Sequence, residues 1–119
     1  MQNKIRDTIL SVHSPLLKCE VFIHRKNWEE HIVQDHEEVA HHLNGLIKET
    51  LESDHPAVLA FTVIDEPQDV LIYRECPHFR PLHNYLKIAV RIRERAAYVK
   101  SIYPVDGIQM KGVKPYGRN

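Results

Sequence analysis

The chain has 119 residues, 43% of them hydrophobic, which suits one folded domain with a buried core and argues against a disordered chain. Lys plus Arg and Asp plus Glu both number 16, so the net charge is zero and gives no reason by itself to expect nucleic acid as a partner. We expect a single domain over residues 1–119, with its core at about 20–104 and an irregular tail at 105–119.

The sequence carries no signal for export or membrane insertion. No apolar run approaches the ~20 residues that a spanning helix needs, and the first residues lack a secretory pattern. Cys19 and Cys76 have no metal-ligand spacing, and a disulfide framework is not indicated. We therefore expect a cytoplasmic protein without a membrane partner.

A short strand and then a helix are predicted in the first third of the chain. Residues 19–24 have the composition of a strand. Asn27 followed three residues later by Glu30 forms a capping box, in which the Asn side chain accepts a helix N–H. Trp28 is then expected to anchor this helix in the core.

A bend is predicted in the middle of the helical region. Asp35 and Glu38 repeat the capping-box pattern, which places a kink near residues 34–36 and starts a second helix. His31 and His36 are five residues apart, so a straight helix would separate them by roughly 140°. Only a bent backbone would bring both imidazoles to one place, where they would serve as an acid–base pair near neutral pH.

In the second half of the chain the apolar period changes from that of a helix to that of a strand. Four strands are predicted, at residues 57–64, 70–75, 85–92 and 96–103. Residues 76–81 are expected to be a loop, because two prolines in six residues disfavour regular structure.

The last two strands are predicted to form a hairpin. A loop centred on residues 93 and 94 would pair Val90 with Ala97 and Ile88 with Val99. The core face would then carry Leu86, Ile88, Val90, Ala97, Val99 and Ser101. The opposite face would carry Tyr85, Lys87, Arg91, Tyr98, Lys100 and Ile102. Over this hairpin the second face shows only positive charge, whereas an ordinary solvated sheet face more often mixes the two signs.

Other kinds of site are less well supported by the residues. A metal site would draw on His31, His36, His41 and His42 with Asp35 and Glu38. Their spacing is not that of a His-Glu-x-x-His site, and we expect no metal or cofactor. The sequence has no Gly-x-Ser-x-Gly motif and no phosphate-cradling glycine loop. Exposed, solvated histidines remain a further interpretation.

Metal-free cleavage of RNA asks for few groups, because RNA carries its own nucleophile, the 2′-OH. A base, an acid and cations for the charge that develops on phosphate are sufficient. The sequence supplies the histidines at the bend, cations at Arg74, Lys87 and Arg91, and hydroxyls at Ser101 and Tyr103.

Over residues 20–104 the order of elements resembles the phage and bacterial nuclease-like domains grouped with barnase, EndoU, colicin E5/D and RelE. The likeness rests on Trp28-x-x-His31-Ile32-x-x-x-His36-x-Glu38, Tyr73-Arg74, the strand from Tyr85, and the strand end Ser101-Ile102-Tyr103. Family members often show W-x-x-H-I-x-x-x-H-P-E, and here Glu37 stands in place of the proline.

The resemblance implies an α+β fold with N-terminal helices packed on one face of a four-stranded antiparallel sheet. It implies metal-independent RNA cleavage without a cofactor, often by a toxin with a cognate neutralising protein. The expected catalytic residues are His31, His36, Arg74, Lys87, Ser101 and Tyr103. The expected RNA-binding residues are Tyr85, Arg91, Tyr98 and Lys100. The alternatives are a module of the same fold that binds RNA or protein without cutting it, and a His-ligated metal-dependent hydrolase.

Overall fold

Strands make up most of the fold in the computed structural model, which describes residues 7–80 and 83–117 apart from the side chains of 77–80 and 83. The strands are β1 Thr8–Ser14, β2 Cys19–His24, β3 Leu59–Val63, β4 Glu66–Arg80, β5 His83–Arg93, β6 Ala96–Val105 and β7 Val113–Pro115. Within the described residues they form one seven-stranded sheet in the order β1-β2-β6-β5-β4-β3-β7.

The expected fold, N-terminal helices on a four-stranded antiparallel sheet, is therefore wrong, because two strands precede the helices and the sheet has seven strands among the described residues. β1 and β2 extend the sheet on one side, and β2 runs parallel to β6. β7 extends it on the other side by pairing with β3. β1 is weakly patterned in the sequence, and β7 has only three residues. The parallel pairing of β2 with β6 joins segments far apart in the chain, so it leaves no local signal.

The loop predicted at 76–81 is also wrong for residues 76–80, which continue β4. The pairing of β4 with β5 is interrupted between Glu75 and Arg80. Prolines are tolerated in a strand where no ladder hydrogen bond is required, and Pro77 falls in this interruption. Pro81 lies outside the described residues.

The helical region consists of two arms that meet at His36. The first arm contains Arg25–Asn27, a π-helical segment Trp28–Ile32, and Val33–Asp35. The second arm contains a 3-10 segment Glu37–His42, a π-helical segment Leu43–Ile47, and the α-helix Lys48–Glu52. His36 has φ −142° and ψ 69°, outside the helical range, so the predicted kink is confirmed. Neither arm begins with a side-chain capping bond among the described residues, so the two predicted capping boxes are wrong.

The two arms pack against one face of the sheet, which we call the helix face. Trp28 is buried there, as predicted. The core unites the arms with the central strands through Ile32, Val39, Ile47, Leu51, Leu86, Ile88, Val90 and Ile102. Burying each such side chain contributes about 1.5–3 kcal/mol. Among the described residues, every helix falls short of the length and apolar character that crossing a membrane requires.

The register of the β5–β6 hairpin differs from the predicted one. The turn lies at Glu94 and Arg95, and Glu94 has a positive φ of 58°. Val90 therefore pairs with Val99 rather than with Ala97.

A β-bulge follows in the same hairpin. Ala89 pairs with Ser101 and Ile88 pairs with Ile102, so Lys100 is the extra residue on β6. The bulge moves Ile102 into the core, where it is 0% exposed. It moves Ser101 to the opposite face, which we call the open face and which also carries Lys87 and Arg91. The predicted faces of these two β6 residues are thus exchanged.

The tail at 105–119 was expected to be irregular, but part of it belongs to the sheet. β6 and β3 are separated by β5 and β4, so the chain from residue 106 to residue 112 has to cross the sheet before β7 pairs with β3. It crosses on the open face, where the backbone N–H of Gln109 donates to the hydroxyl of Tyr73 at 3.3 Å. Tyr73 is buried beneath this crossing.

Candidate functional site

His31 and His36 line one cleft, between the helical bend and β6. The cleft has a volume of about 300 Å³ and is lined by His31, Asp35 and His36 on one side and by residues 100–103 on the other. We call it the histidine cleft. His31 is exposed and His36 is half-buried, so solvent and a ligand can reach both imidazoles.

Four side chains form a connected group at one end of the histidine cleft. The imidazole of His36 stacks on the ring of Tyr103, with the ring centroids 4.8 Å apart and the planes 17° from parallel. The Lys87 ammonium donates a hydrogen bond of 3.2 Å to the Tyr103 hydroxyl. Glu38 Oε1 lies 3.9 Å from His36 Nδ1. A cation, a hydroxyl and an imidazole therefore meet where the bend approaches the open face.

The bulge in β6 is held by Asn27. The Asn27 amide donates to the carbonyls of Val99 and Lys100, at 3.0 and 3.1 Å. β2 pairs with β6 only as far as Tyr98, so these two carbonyls have no β2 partner, and the first helical arm supplies the donor instead. Asn27 was predicted to cap a helix. Its actual role depends on a contact across 72 residues, for which the local sequence holds no signal.

Ser101 and Tyr103 reach the cleft because of this bulge. Ser101 pairs with Ala89, and Tyr103 pairs with Lys87, so both β6 side chains stand on the open face beside the bend. Without the shift, Ser101 would face the core, as the sequence predicted.

Arg74 does not join this group. It pairs with Leu86, which belongs to the helix face, so the Arg74 side chain leaves the sheet on the side opposite to Lys87. Its guanidinium lies 3.3 Å from the Thr50 hydroxyl and 3.8 Å from a carboxylate oxygen of Glu49. Arg74 therefore lies apart from the other expected catalytic residues, in a contact between β4 and the second helical arm.

Arg91 and Lys100 are on the open face, but neither is an unpaired cation. Asp69 of β4 accepts from Arg91 Nε at 2.7 Å and from Lys100 Nζ at 2.9 Å. The hydrogen bond from Arg91 is the main cause that lowers the pKa of Asp69, and the Lys100 hydrogen bond adds to it. The same contact raises the pKa of Arg91. The positive charge predicted for the hairpin is thus partly neutralised by Asp69, which belongs to a strand outside the hairpin.

The two remaining predicted RNA-binding residues lie apart from the histidine cleft. Tyr85 is half-buried at the far end of β5, paired with Val105. Tyr98 stacks on Phe22 of β2, with ring centroids 5.7 Å apart, and lies 5.5 Å from the ring of His24. No local pattern predicts that these two β2 residues contact Tyr98, because the contact depends on the parallel pairing of β2 with β6.

The residues proposed for a metal site do not converge. Across the described part of the chain, no three His, Cys, Asp or Glu side chains are close enough to hold a metal ion. His41 lines a different surface pocket, with Glu37 and Glu38. The metal-dependent alternative therefore has no ligand set among these residues.

Comparisons of the chain with protein-family models, with curated proteins and with solved structures find no match. The resemblance to nuclease-like domains rests on the motifs alone. Any function has to be inferred from the histidine cleft and the side chains around it.

Proposed function

We propose that the chain is a metal-independent endoribonuclease-like domain that cuts RNA in the histidine cleft. One observation carries the proposal: His31 and His36 line the same cleft as Tyr103, whose hydroxyl lies 3.2 Å from the Lys87 ammonium. Two imidazoles and a cation are the groups that RNA cleavage by its own 2′-OH requires.

The reaction would proceed by transfer of the phosphorus between two oxygens of the RNA. One histidine takes the proton of the 2′-OH as this oxygen bonds to the adjacent phosphorus. The other gives a proton to the 5′ oxygen as its bond to phosphorus breaks. The products are a 2′,3′-cyclic phosphate and a 5′-hydroxyl end, and no oxidant or metal is consumed.

The surrounding side chains support this division of roles. An ammonium carries three donors, so Lys87 can donate to Tyr103 and still bind a phosphate oxygen. The stack on Tyr103 fixes the plane of the His36 ring. A fixed ring loses less entropy on reaching the reactive geometry than a freely rotating one.

The proposal includes the biological role that the resemblance implies, namely a toxin that is inhibited by a neutralising protein. Cys19 and Cys76 are free thiols, which fits a reducing compartment such as the cytoplasm.

A module that binds RNA without cutting it is the second candidate. The position of Arg74 favours it, because one cation of the expected catalytic set lies on the helix face, beside Thr50. Such a module would hold RNA through the open face and yield no product from any RNA.

The deciding experiment is an RNA-cleavage assay with EDTA present throughout. We expect cleavage by the native protein and a loss of about 10²–10⁴-fold in His31→Ala and in His36→Ala. His41→Ala is the matched control, because His41 is an exposed histidine of the second arm that does not line the cleft. Activity that requires a metal, or that survives both cleft substitutions, would remove the proposal. Binding without any cleavage would select the second candidate.

A further inference from the structure

A second and larger groove opens on the open face beside the histidine cleft. Its volume is about 730 Å³, within the range of about 300–1,000 Å³ typical of small-ligand sites. Asn27 and Lys100 line both the groove and the cleft, so the two spaces adjoin. Tyr98 stands in the wall of the groove, and we call it the Tyr98 groove.

The wall of the Tyr98 groove is aromatic. Tyr98 and His24 both line it, with their ring centroids 5.5 Å apart. Phe22 stacks on Tyr98 with ring centroids 5.7 Å apart and does not itself line the groove. A tyrosine ring that lines an open groove is a surface on which a nucleobase can stack, and such stacking contributes about 1–3 kcal/mol per base.

The charges along the Tyr98 groove suit a nucleotide. Its lining contains three cations, Arg91, Arg93 and Lys100, and one carboxylate, Glu94. Arg91 and Lys100 are engaged by Asp69, which does not line the groove. Arg93 is exposed and takes part in no ion pair among the described residues, so its guanidinium is available for a phosphate.

The turn between β5 and β6 holds these two kinds of group side by side. Arg93 pairs with Ala96 at the end of the hairpin, and Glu94 follows it in the turn. A guanidinium matches the geometry of phosphate, whereas a carboxylate accepts from the amino groups of bases. The end of the hairpin therefore offers a donor for phosphate next to an acceptor for a base.

We propose that the Tyr98 groove is a nucleotide subsite for single-stranded RNA. The base stacks on Tyr98, the phosphate is bound by Arg93, and the chain passes Asn27 and Lys100 into the histidine cleft. The choice of RNA rests on the function proposed for the cleft. The strand must be single, because a base inside a duplex has no free face to stack on the tyrosine.

The test measures binding separately from cleavage. The probe is a short fluorescent single-stranded oligonucleotide with 2′-O-methyl groups, which cannot react through a 2′-OH, and the readout is fluorescence anisotropy. We expect Tyr98→Leu to weaken binding by about 5–150-fold, which corresponds to the loss of one stacked base, and Tyr98→Phe to bind like the native protein.

The phosphate contact has its own readout, the dependence of affinity on salt. Arg93→Ala should reduce the slope of the logarithm of affinity against the logarithm of salt concentration by about one. Arg95→Ala is the matched control, since Arg95 is an exposed arginine of the same turn that does not line the groove. Equal slopes in the native protein and Arg93→Ala would remove Arg93 from the subsite.

A probe with abasic positions keeps the test decisive even if Tyr98→Leu does not fold. One abasic position should weaken binding to the native protein, and the same position should have little further effect in Tyr98→Leu. If abasic and intact probes bind the native protein equally well, or if Tyr98→Leu is folded and binds like the native protein, the subsite is wrong. Binding that depends on Tyr98 in a protein that cuts no RNA would support the subsite and contradict the cleavage proposal. RNA cleavage by a protein whose binding does not depend on Tyr98 would contradict the subsite and support the cleavage proposal.

Discussion

The imidazole of His36 lies over the ring of Tyr103, with 4.8 Å between the ring centroids. Each residue reaches this position through an irregularity in its own element. His36 is the break between the two helical arms, and Tyr103 follows the bulge in β6. The candidate site therefore depends on two local departures from regular structure that occur side by side.

Removing the ring beneath His36 should release the imidazole. We expect Tyr103→Leu to move the His36 ring-proton resonances downfield, because the shielding of a stacked ring is lost. Tyr103→Phe keeps the stack, lacks the hydrogen bond from Lys87, and should leave these resonances nearly unchanged. The NMR spectrum of the histidine ring protons gives the answer, and identical spectra for the native protein and Tyr103→Leu would show that the stack does not form in solution.

Asn27 should stabilise the bulge. Asn27→Ala leaves the carbonyls of Val99 and Lys100 without their donor, which should lower the free energy of unfolding by about 1–3 kcal/mol. The loss should be accompanied by faster amide hydrogen exchange at residues 99–103. Asn44→Ala, at an exposed position of the second arm, is the control and should change neither quantity by a similar amount. Unchanged exchange in Asn27→Ala would mean that the bulge does not need the amide.

Asp69 should contribute to stability in a way that depends on pH. Its pKa is lowered below the ordinary value of 3.8, chiefly by the hydrogen bond from Arg91. The unfolded chain therefore binds the proton more readily, so the contribution is complete well above pH 3.8 and is lost as the pH falls towards the folded-state pKa. Asp69→Asn should cost about 1–3 kcal/mol at neutral pH. The difference from the native protein should shrink in strong acid.

Urea unfolding at neutral pH and well below pH 3.8 measures this difference. Glu66→Gln is the control, because Glu66 is exposed and lies farther from Arg91, at 3.8 Å, and its effect should be smaller at both pH values. A penalty for Asp69→Asn that is the same at both pH values would contradict the lowered pKa.

Substitutions at Arg74 and at Lys87 should have different effects, the first on stability and the second on RNA cleavage. Arg74→Ala breaks contacts to Thr50 and Glu49 on the helix face and should lower the unfolding free energy by about 0.5–1.5 kcal/mol. Its RNA cleavage should stay within about threefold of the native rate, because the proposed phosphate contact of Lys87 lies on the other face of the sheet. Lys87→Met removes the cation beside Tyr103 and should slow cleavage by about 10²–10³-fold. Equal losses of cleavage in the two variants would return Arg74 to the catalytic set.

The parts of the fold that follow from local patterns were predictable. The bend at His36 and the burial of Leu86, Ile88 and Val90 follow from short-range patterns of capping and alternation, even though the capping bonds themselves do not form. The bulge was not predictable, because its stabilising donor, Asn27, lies 72 residues before Val99 in the chain. A shift of one residue exchanges the two faces of a strand, so Ser101 and Ile102 were placed on the wrong sides.

The charge pairing at the site also depends on strands that are distant in the sequence. The hairpin alone predicts that Arg91 and Lys100 are unpaired cations, whereas Asp69 of β4 forms ion pairs with both. A register for β4 against β5 would have placed Asp69 opposite Arg91, since the two are directly paired. The aromatic contact of Tyr98 with Phe22 could not be foreseen, because it requires the parallel pairing of β2 with β6.

The most direct measurement of the central claim compares an RNA oligonucleotide with the 2′-deoxy oligonucleotide of the same sequence, both in EDTA, and identifies the product ends by mass spectrometry. The proposed pair of histidines predicts that only the RNA is cut, and that the new ends are a 2′,3′-cyclic phosphate and a 5′-hydroxyl. Cleavage of the deoxy strand, ends that carry a 5′-phosphate, or no cleavage of either strand would contradict it.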